Sequence, residues 1–362
     1  MNNFVFRLFC LVPALLLPSA NISMADEGTV KVFILAGQSN MEGKAPNKLF
    51  DHQATEAKTA DFFAHLRDGD EWIERDDVFI KYGNRHGKLT LGYGSGGRTG
   101  PEYEFGYVLG EHFDEPVLLI KTAWGGHSLH TNFRPPSNPP TEEALQKELD
   151  LRILQTENFN RRSRELIAEG KQRVIKPLPT MDDIKAPYGK SYQNMFDEVK
   201  QVQANYETLF PELAGKKLEL AGFFWFQGWN DQYQDRWLEY EDNFEALIKD
   251  VRKDLGAPDL PVVTGLMGQH GSTPIEADSP RAIINAAQKK MESKFPGTVK
   301  AIETAPLVDK AAEELYPHWK DRFEEWQKTG GDHAYHYLGS AIWFTRIGRA
   351  SGEAMIELIE SN

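Results

Sequence analysis

Lys31-Val32-Phe33-Ile34-Leu35-Ala36-Gly37-Gln38-Ser39-Asn40-Met41 is the stretch on which the fold is read. Five apolar residues in succession, Val32 to Ala36, include β-branched and aromatic types and have the composition of a buried central strand. The run stops at Gly37, and a serine between two carboxamide side chains follows. Open α/β sheets present reactive groups at this carboxyl edge. The same pattern also fits an ordinary strand-to-helix turn with Ser39 as N-cap, so its meaning depends on the rest of the chain.

Outward from this stretch, further apolar runs read as strands: Val78–Tyr82, Pro116–Lys121, Leu218–Phe226, Leu260–Leu266 and Val299–Glu303. Helical segments separate them at about 101–112, 191–209, 237–254 and 279–294, and a closing helix is expected from Leu338 to about Glu360. Strands alternating with helices at this spacing predict an α/β fold with a central parallel sheet and helices on both faces. One domain over 26–362 is expected, carrying a charged, solvated helical insertion at about 141–190. The glycine-rich segment Leu91 to Gly100 lacks the Gly-Lys-Ser/Thr ending of a phosphate loop and does not leave a clear strand.

The first 25 residues read differently. Arg7 precedes an apolar run from Leu8 to Leu17, and Ser23-Met24-Ala25 resembles a small-residue cleavage site. Export after cleavage near Ala25 is therefore expected, with no stable membrane insertion, since no apolar run reaches spanning length. The only cysteine, Cys10, falls inside this segment, which excludes a cysteine nucleophile or thiolate metal site from the mature chain. Among 362 residues the formal charge is −13, a balance that argues against nucleic acid as partner. Eight tryptophans and twelve tyrosines suit sugar binding, although cores also consume aromatics. The ten histidines show no His-x-x-x-His or His-Glu-x-x-His pattern that favours zinc.

In a parallel sheet the carboxyl ends of the strands face one crevice. Four segments with unusual polar residues fall at such ends or beside them: Ser39, Gly125-Gly126, Gln227 to Asp231, and Asp332 to His336. Together they are what acyl transfer needs. A serine hydroxyl requires a base within hydrogen-bond reach, a histidine serves near neutral pH, and a developing oxyanion requires donors already in place.

Gly37-Gln38-Ser39-Asn40-Met41 resembles the first sequence block of the SGNH hydrolases, in their sialate O-acetylesterase-like and acetylxylan esterase-like branch. Trp124-Gly125-Gly126 resembles the second block, and Gly228-Trp229-Asn230-Asp231 is similar to the third, Gly-x-Asn-Asp. Gly100-Pro101-Glu102 with Phe105-Gly106 resembles a further signature of the branch, and His336 sits where the last block carries its base. The resemblance implies a three-layer α/β/α, flavodoxin-like fold and a carbohydrate O-acetylesterase with no metal or cofactor, acting on acetylated oligo- or polysaccharides. It implies Ser39 as nucleophile and His336 as general base. Asn230, the Ser39 N–H and one N–H from Gly125 or Gly126 would form the oxyanion hole. Gln38, Glu102, Gln227 and Trp229 would bind substrate or brace the site, and Trp124 and Tyr335 can add to a sugar platform. One departure stands out: Asp332 lies four residues before His336, where the family has three, so triad and Ser-His dyad both remain open. Two other readings also stay open: an esterase for a non-carbohydrate acyl ester, and a glycan-binding protein on the same fold without catalysis.

Overall fold

In the computed structural model, which describes residues 28–361, the quoted stretch becomes the middle of a seven-stranded sheet. The strands are β1 (Thr29–Gly37), β2 (Val78–Tyr82), β3 (Arg85–Lys88), β4 (Val117–Ala123), β5 (Lys217–Phe226), β6 (Val262–Gly265) and β7 (Val299–Ile302). Their spatial order is β7-β6-β5-β1-β4-β2-β3. All neighbours run parallel except β3, which pairs antiparallel with β2 at one edge. That edge strand was not foreseen: Arg85-His86-Gly87-Lys88 has neither apolar alternation nor β-branched residues, and its pairing comes from the tight turn after Tyr82. The expected cleavage site and leader lie outside the described residues.

The two faces of β1 bury different residues, as the period of two requires. Val30, Val32, Ile34 and Ala36 pack with helices α3 (Lys190–Leu209), α4 (Tyr240–Leu255) and α5 (Pro280–Lys294). Phe33 and Leu35 pack on the other side with α1 (Glu102–His112) and α6 (Ala341–Glu360). The result is the expected three-layer α/β/α arrangement. Helix α2 (Glu142–Ala168) is capped by Thr141 and leaves Leu151, Leu154 and Phe159 exposed.

Two local features fix the sheet edge that matters. Gly37 has φ +156°, and a Cβ there would stand 2.2 Å from the Phe226 carbonyl oxygen. Only glycine lets the ends of β1 and β5 close to this distance. Helix α6 begins at Ala341, three residues later than the hydropathy pattern indicates. Tyr337 and Leu338 adopt left-handed backbone angles that no helix continues through, and Ser340 then caps the helix by accepting from Trp343 N.

Under the sheet edge lies a fully buried ion pair, Lys121 Nζ to Glu102 Oε2 at 2.8 Å. Lys121 also donates to the carbonyls of Glu42 and Tyr93, both at 2.9 Å, and Glu102 Oε1 accepts from Gly100 N. Burial pushes the Lys121 ammonium down, and Glu102 opposes that shift. Removing one partner leaves the other charge uncompensated, so Lys121→Met is expected to cost about 3–5 kcal/mol. The Lys121→Met, Glu102→Leu pair is expected to recover much of that loss, measured as a double-mutant cycle in urea denaturation.

Candidate active site

The crevice forms where the chain leaves β1 toward β2 on one side and leaves β5 toward β6 on the other, a topological switch point. Ser39 opens a single helical turn, Ser39–Glu42, directly after β1. As the first helical residue its N–H has no intrahelical acceptor. Its side chain is nearly buried, and among the described residues its hydroxyl makes no hydrogen bond.

Gln38 ties this turn to the segment after β5. Its side-chain carbonyl accepts from Gln227 Nε2 at 3.2 Å, Asn230 N at 3.2 Å and Gly228 N at 3.4 Å. Its amide donates to Asn230 Oδ1 at 3.0 Å. Asn230 is thereby held with its amide nitrogen outward, where one hydrogen meets the Gly126 carbonyl and the second remains available. The glycine pair after β4 is exposed, and neither Gly125 nor Gly126 spends its N–H on a backbone acceptor among the described residues. A Cβ on Gly125 would stand 3.9 Å from Ser39 Cβ, and one on Gly126 would stand 3.9 Å from Asn230 Nδ2. Serine, glycines and carboxamide therefore line one small volume.

Asp231 works behind them. Wholly buried, it accepts from Leu129 N at 2.9 Å, His130 N at 2.8 Å and Gln227 Nε2 at 2.5 Å. Burial pushes its carboxyl up to about 6, against the pull of these three donors. The contacts clamp the loop after β4 to the segment after β5.

The fourth component comes from the loop before α6. Asn40, next to Ser39, donates to the Tyr335 carbonyl at 3.1 Å, which draws that loop over the serine turn. Tyr337 pins it from below: its ring is buried against Phe226, Trp343 and Phe344, while its hydroxyl meets Gly268 N at 3.1 Å and Thr304 Oγ1 at 2.8 Å. This packing holds the left-handed backbone of Tyr337 and Leu338 in place. Gly331 N and Asp332 N both donate to the Leu338 carbonyl, so the loop closes on itself. Within it Asp332 Oδ1 lies 3.2 Å from His336 Nδ1, an ion-pair distance whose direction falls short of an aligned hydrogen bond. Four-residue spacing is thus no obstacle to the approach. Burial favours the neutral form of Asp332, but His336, the His333 amide and the Arg98 guanidinium outweigh it and hold the carboxyl well below its usual range.

Other expected residues take different places. Gln38, Gln227 and Glu102 are buried and committed to the protein, so they brace the crevice and do not line it. Trp229 and Tyr335 are partly open, with ring centroids 5.9 Å apart beside His336. Trp124 stacks on His127, whose Nδ1 lies 2.7 Å from Ser191 Oγ. His130 is pushed down to about 4 by burial. Arg134 holds its own proline-rich loop through Asn138 O and Glu239, each at 2.5 Å. Arg98, the Asp332 partner, was missed, because it lies in the glycine-rich segment 234 residues away. Among the described residues no group of His, Cys, Asp or Glu is placed to hold a metal ion, and no helix is long and apolar enough to cross a membrane.

The family model for carbohydrate esterase, sialic acid-specific acetylesterase, matches residues 29–151 and 180–314, and the chain belongs to that family. Similar solved structures include a protein from Arabidopsis thaliana, 13% identical with a TM-score of 0.49, the match covering 90% of this chain and 97% of that one. A carbohydrate acetylesterase from Xanthomonas citri is 14% identical with a TM-score of 0.44, over 77% of this chain and 50% of that one. NanS is 12% identical with a TM-score of 0.41, over 78% and 79%. No curated protein sequence matches the chain.

The lowered carboxyl of Asp332 has a signed consequence. A carboxylate ordinarily titrates near pH 4, so a depressed value in the fold contributes stability that is complete above about pH 4 and lost as pH falls further. Asp332→Asn is expected to lower the melting temperature at pH 7, and the gap to the unaltered protein is expected to narrow below about pH 4 in a calorimetric pH series.

Proposed function

We propose that this protein is an exported serine esterase that removes acetyl groups from sugar hydroxyls. The observation that carries the reading is the meeting of the Ser39 turn, the Gly125-Gly126 loop, Asn230 and the His336 loop at one sheet edge, in a chain of this family.

Ser39 Oγ attacks the acetyl carbonyl carbon and gives its proton to His336. With Nδ1 facing Asp332, Nε2 is the ring nitrogen left to receive it. The carbonyl π-electrons move to oxygen, and the oxyanion is met by the Ser39 N–H, a glycine N–H and Asn230 Nδ2. Collapse expels the sugar oxygen, which takes the proton from His336, and leaves acetyl-Ser39. Water, deprotonated by the same imidazole, attacks the acyl-enzyme, and the second collapse releases acetate and restores the serine. Asp332 fixes the tautomer and stabilises the imidazolium, so the reading is of a triad. Trp229 and Tyr335 offer ring faces to the sugar. The leader-like residues 1–25 support export.

Ser39→Ala and His336→Ala are expected to abolish acetate release from acetylated xylan, O-acetylated sialic acid and p-nitrophenyl acetate while the melting profile stays intact. Comparable activity in either variant overturns the assignment. Asn230→Ala is expected to lower kcat by about a hundredfold or more. The mass of the exported protein is expected to correspond to a chain starting at Asp26.

A further inference from the structure

Helix α2 and the segment after it form an arm that the crevice does not use. Residues 152–179 lie between the two segments matched by the family model. A helix of this length, 27 residues, extends about 40 Å, yet no residue of 142–189 belongs to either hydrophobic core. Polar contacts hold the arm instead: Lys185 pairs with Glu142 at 3.1 Å, and the Asn160 side chain bonds the backbone N and O of Lys176 at 2.8 and 2.7 Å. Its amphipathicity is reversed. The residues that α2 buries are Leu145, Asn160 and Ser163, whereas Leu151, Leu154, Phe159 and Ile167 are exposed. Seven of the eleven large apolar side chains exposed among the described residues fall within 151–178. A surface helix ordinarily turns its apolar stripe inward, and a concentration of exposed apolar groups marks an interaction surface.

The outward face repeats at helical spacing. Lys147, Leu151, Leu154, Asn158, Arg162 and Glu165 are all exposed and stand three or four residues apart, which puts them on one side of α2. Among the described residues Lys147, Arg162 and Glu165 have no hydrogen-bond or ion-pair partner. Charge is polarised along the arm: residues 142–157 carry five acidic and two basic side chains, and residues 158–176 carry two acidic and six basic ones. A polyanion or an anionic lipid surface is repelled by the first half. A second copy laid parallel sets like charge on like, and one laid antiparallel sets each half against its opposite. With a two-fold axis near Gln155, Leu154 lies beside its own mate and Leu151 meets Phe159. In the same register Lys147 meets Glu165, and Glu148, already held by the Tyr188 hydroxyl at 2.9 Å, meets Arg162. Apolar and charged pairs thus share one centre, as a contact between identical surfaces requires.

We propose that this face of α2 is a dimer interface, at which two copies of the chain pair their α2 helices antiparallel about a two-fold axis near Gln155. The leucines and Phe159 form its apolar centre, and the flanking charges fix orientation and register, as they do between coiled-coil helices. Two single helices meeting face to face fall at the low end of interface size, below about 1,200 Å², so the dimer is reversible with a dissociation constant in about the micromolar range. The pairing is independent of the chemistry in the crevice.

Sedimentation velocity of the whole protein at low salt, from about 1 to 100 μM, tests the pairing. The unaltered protein is expected to pass from monomer to dimer across this range. Leu151→Glu combined with Leu154→Glu is expected to stay monomeric at the highest concentration with an unchanged melting temperature, since both side chains are exposed in the single chain. Lys147→Glu sets like charges together twice in a two-fold dimer and is expected to weaken association about five- to tenfold. Lys147→Glu combined with Glu165→Lys restores opposite charges only in the antiparallel register and is expected to recover it. Both charged positions are exposed, so this second pair of variants reads the interface without disturbing the fold. A protein that remains monomeric throughout, a dimer that survives the double leucine change, or a charge swap without recovery overturns the inference. A monomer that instead sediments with phosphatidylserine vesicles through Leu151 and Leu154 assigns the face to a membrane and overturns it as well.

Discussion

The site depends on one carboxamide. Gln38 stands at the end of the central strand, and its side chain accepts three hydrogen bonds from the segment after β5 and returns one to Asn230. Each bond is ordinary, worth about 1 kcal/mol. Together they set the distance between two strands whose loops depart in opposite directions. Without them the serine turn and the asparagine segment would be joined only by the sheet beneath. Gly37 permits this by letting the Phe226 carbonyl approach where any side chain would collide.

A second level of constraint lies further from the crevice. Asp231 ties the β4 and β5 loops together through three donors, and the Lys121–Glu102 pair anchors the turn after Ser39 through the Glu42 carbonyl. Both are polar groups buried where apolar ones would pack more cheaply. They supply direction: a hydrogen bond fixes an orientation, which a methyl contact does not. The candidate catalytic groups thus rest on rigid strand ends and short, doubly tied loops.

Much of this was legible in the sequence, for physical reasons. The apolar runs of β1, β4 and β5 are fully buried strands and allow few alternatives, and strand ends in a parallel sheet share one edge by geometry alone. What escaped depends on contacts between distant segments. The edge strand Arg85–Lys88 has no hydrophobic signature because neither of its faces is buried in the core. Leu338 looked helical by hydropathy, yet Tyr337 is held left-handed by bonds to Gly268 and Thr304, far away in the chain. Gln38, Gln227 and Glu102 are recognisable as polar residues near the site, but that they face inward follows from contacts made only in the fold. The match of Asp332 with Arg98 could not be read from spacing at all.

The loop from Gly331 to Gly339 carries both members of the proposed acid–base pair, closes through the Leu338 carbonyl, and is held to the rest of the fold by the buried Tyr337 ring, the Asn40 bond to the Tyr335 carbonyl and the Arg98–Asp332 pair. Base and orienting carboxylate therefore move together. Thermal damage that frees this loop removes both at once while the sheet remains folded. Loss of turnover on heating is then governed by the opening of one nine-residue segment, and heat inactivation and global melting become separate events.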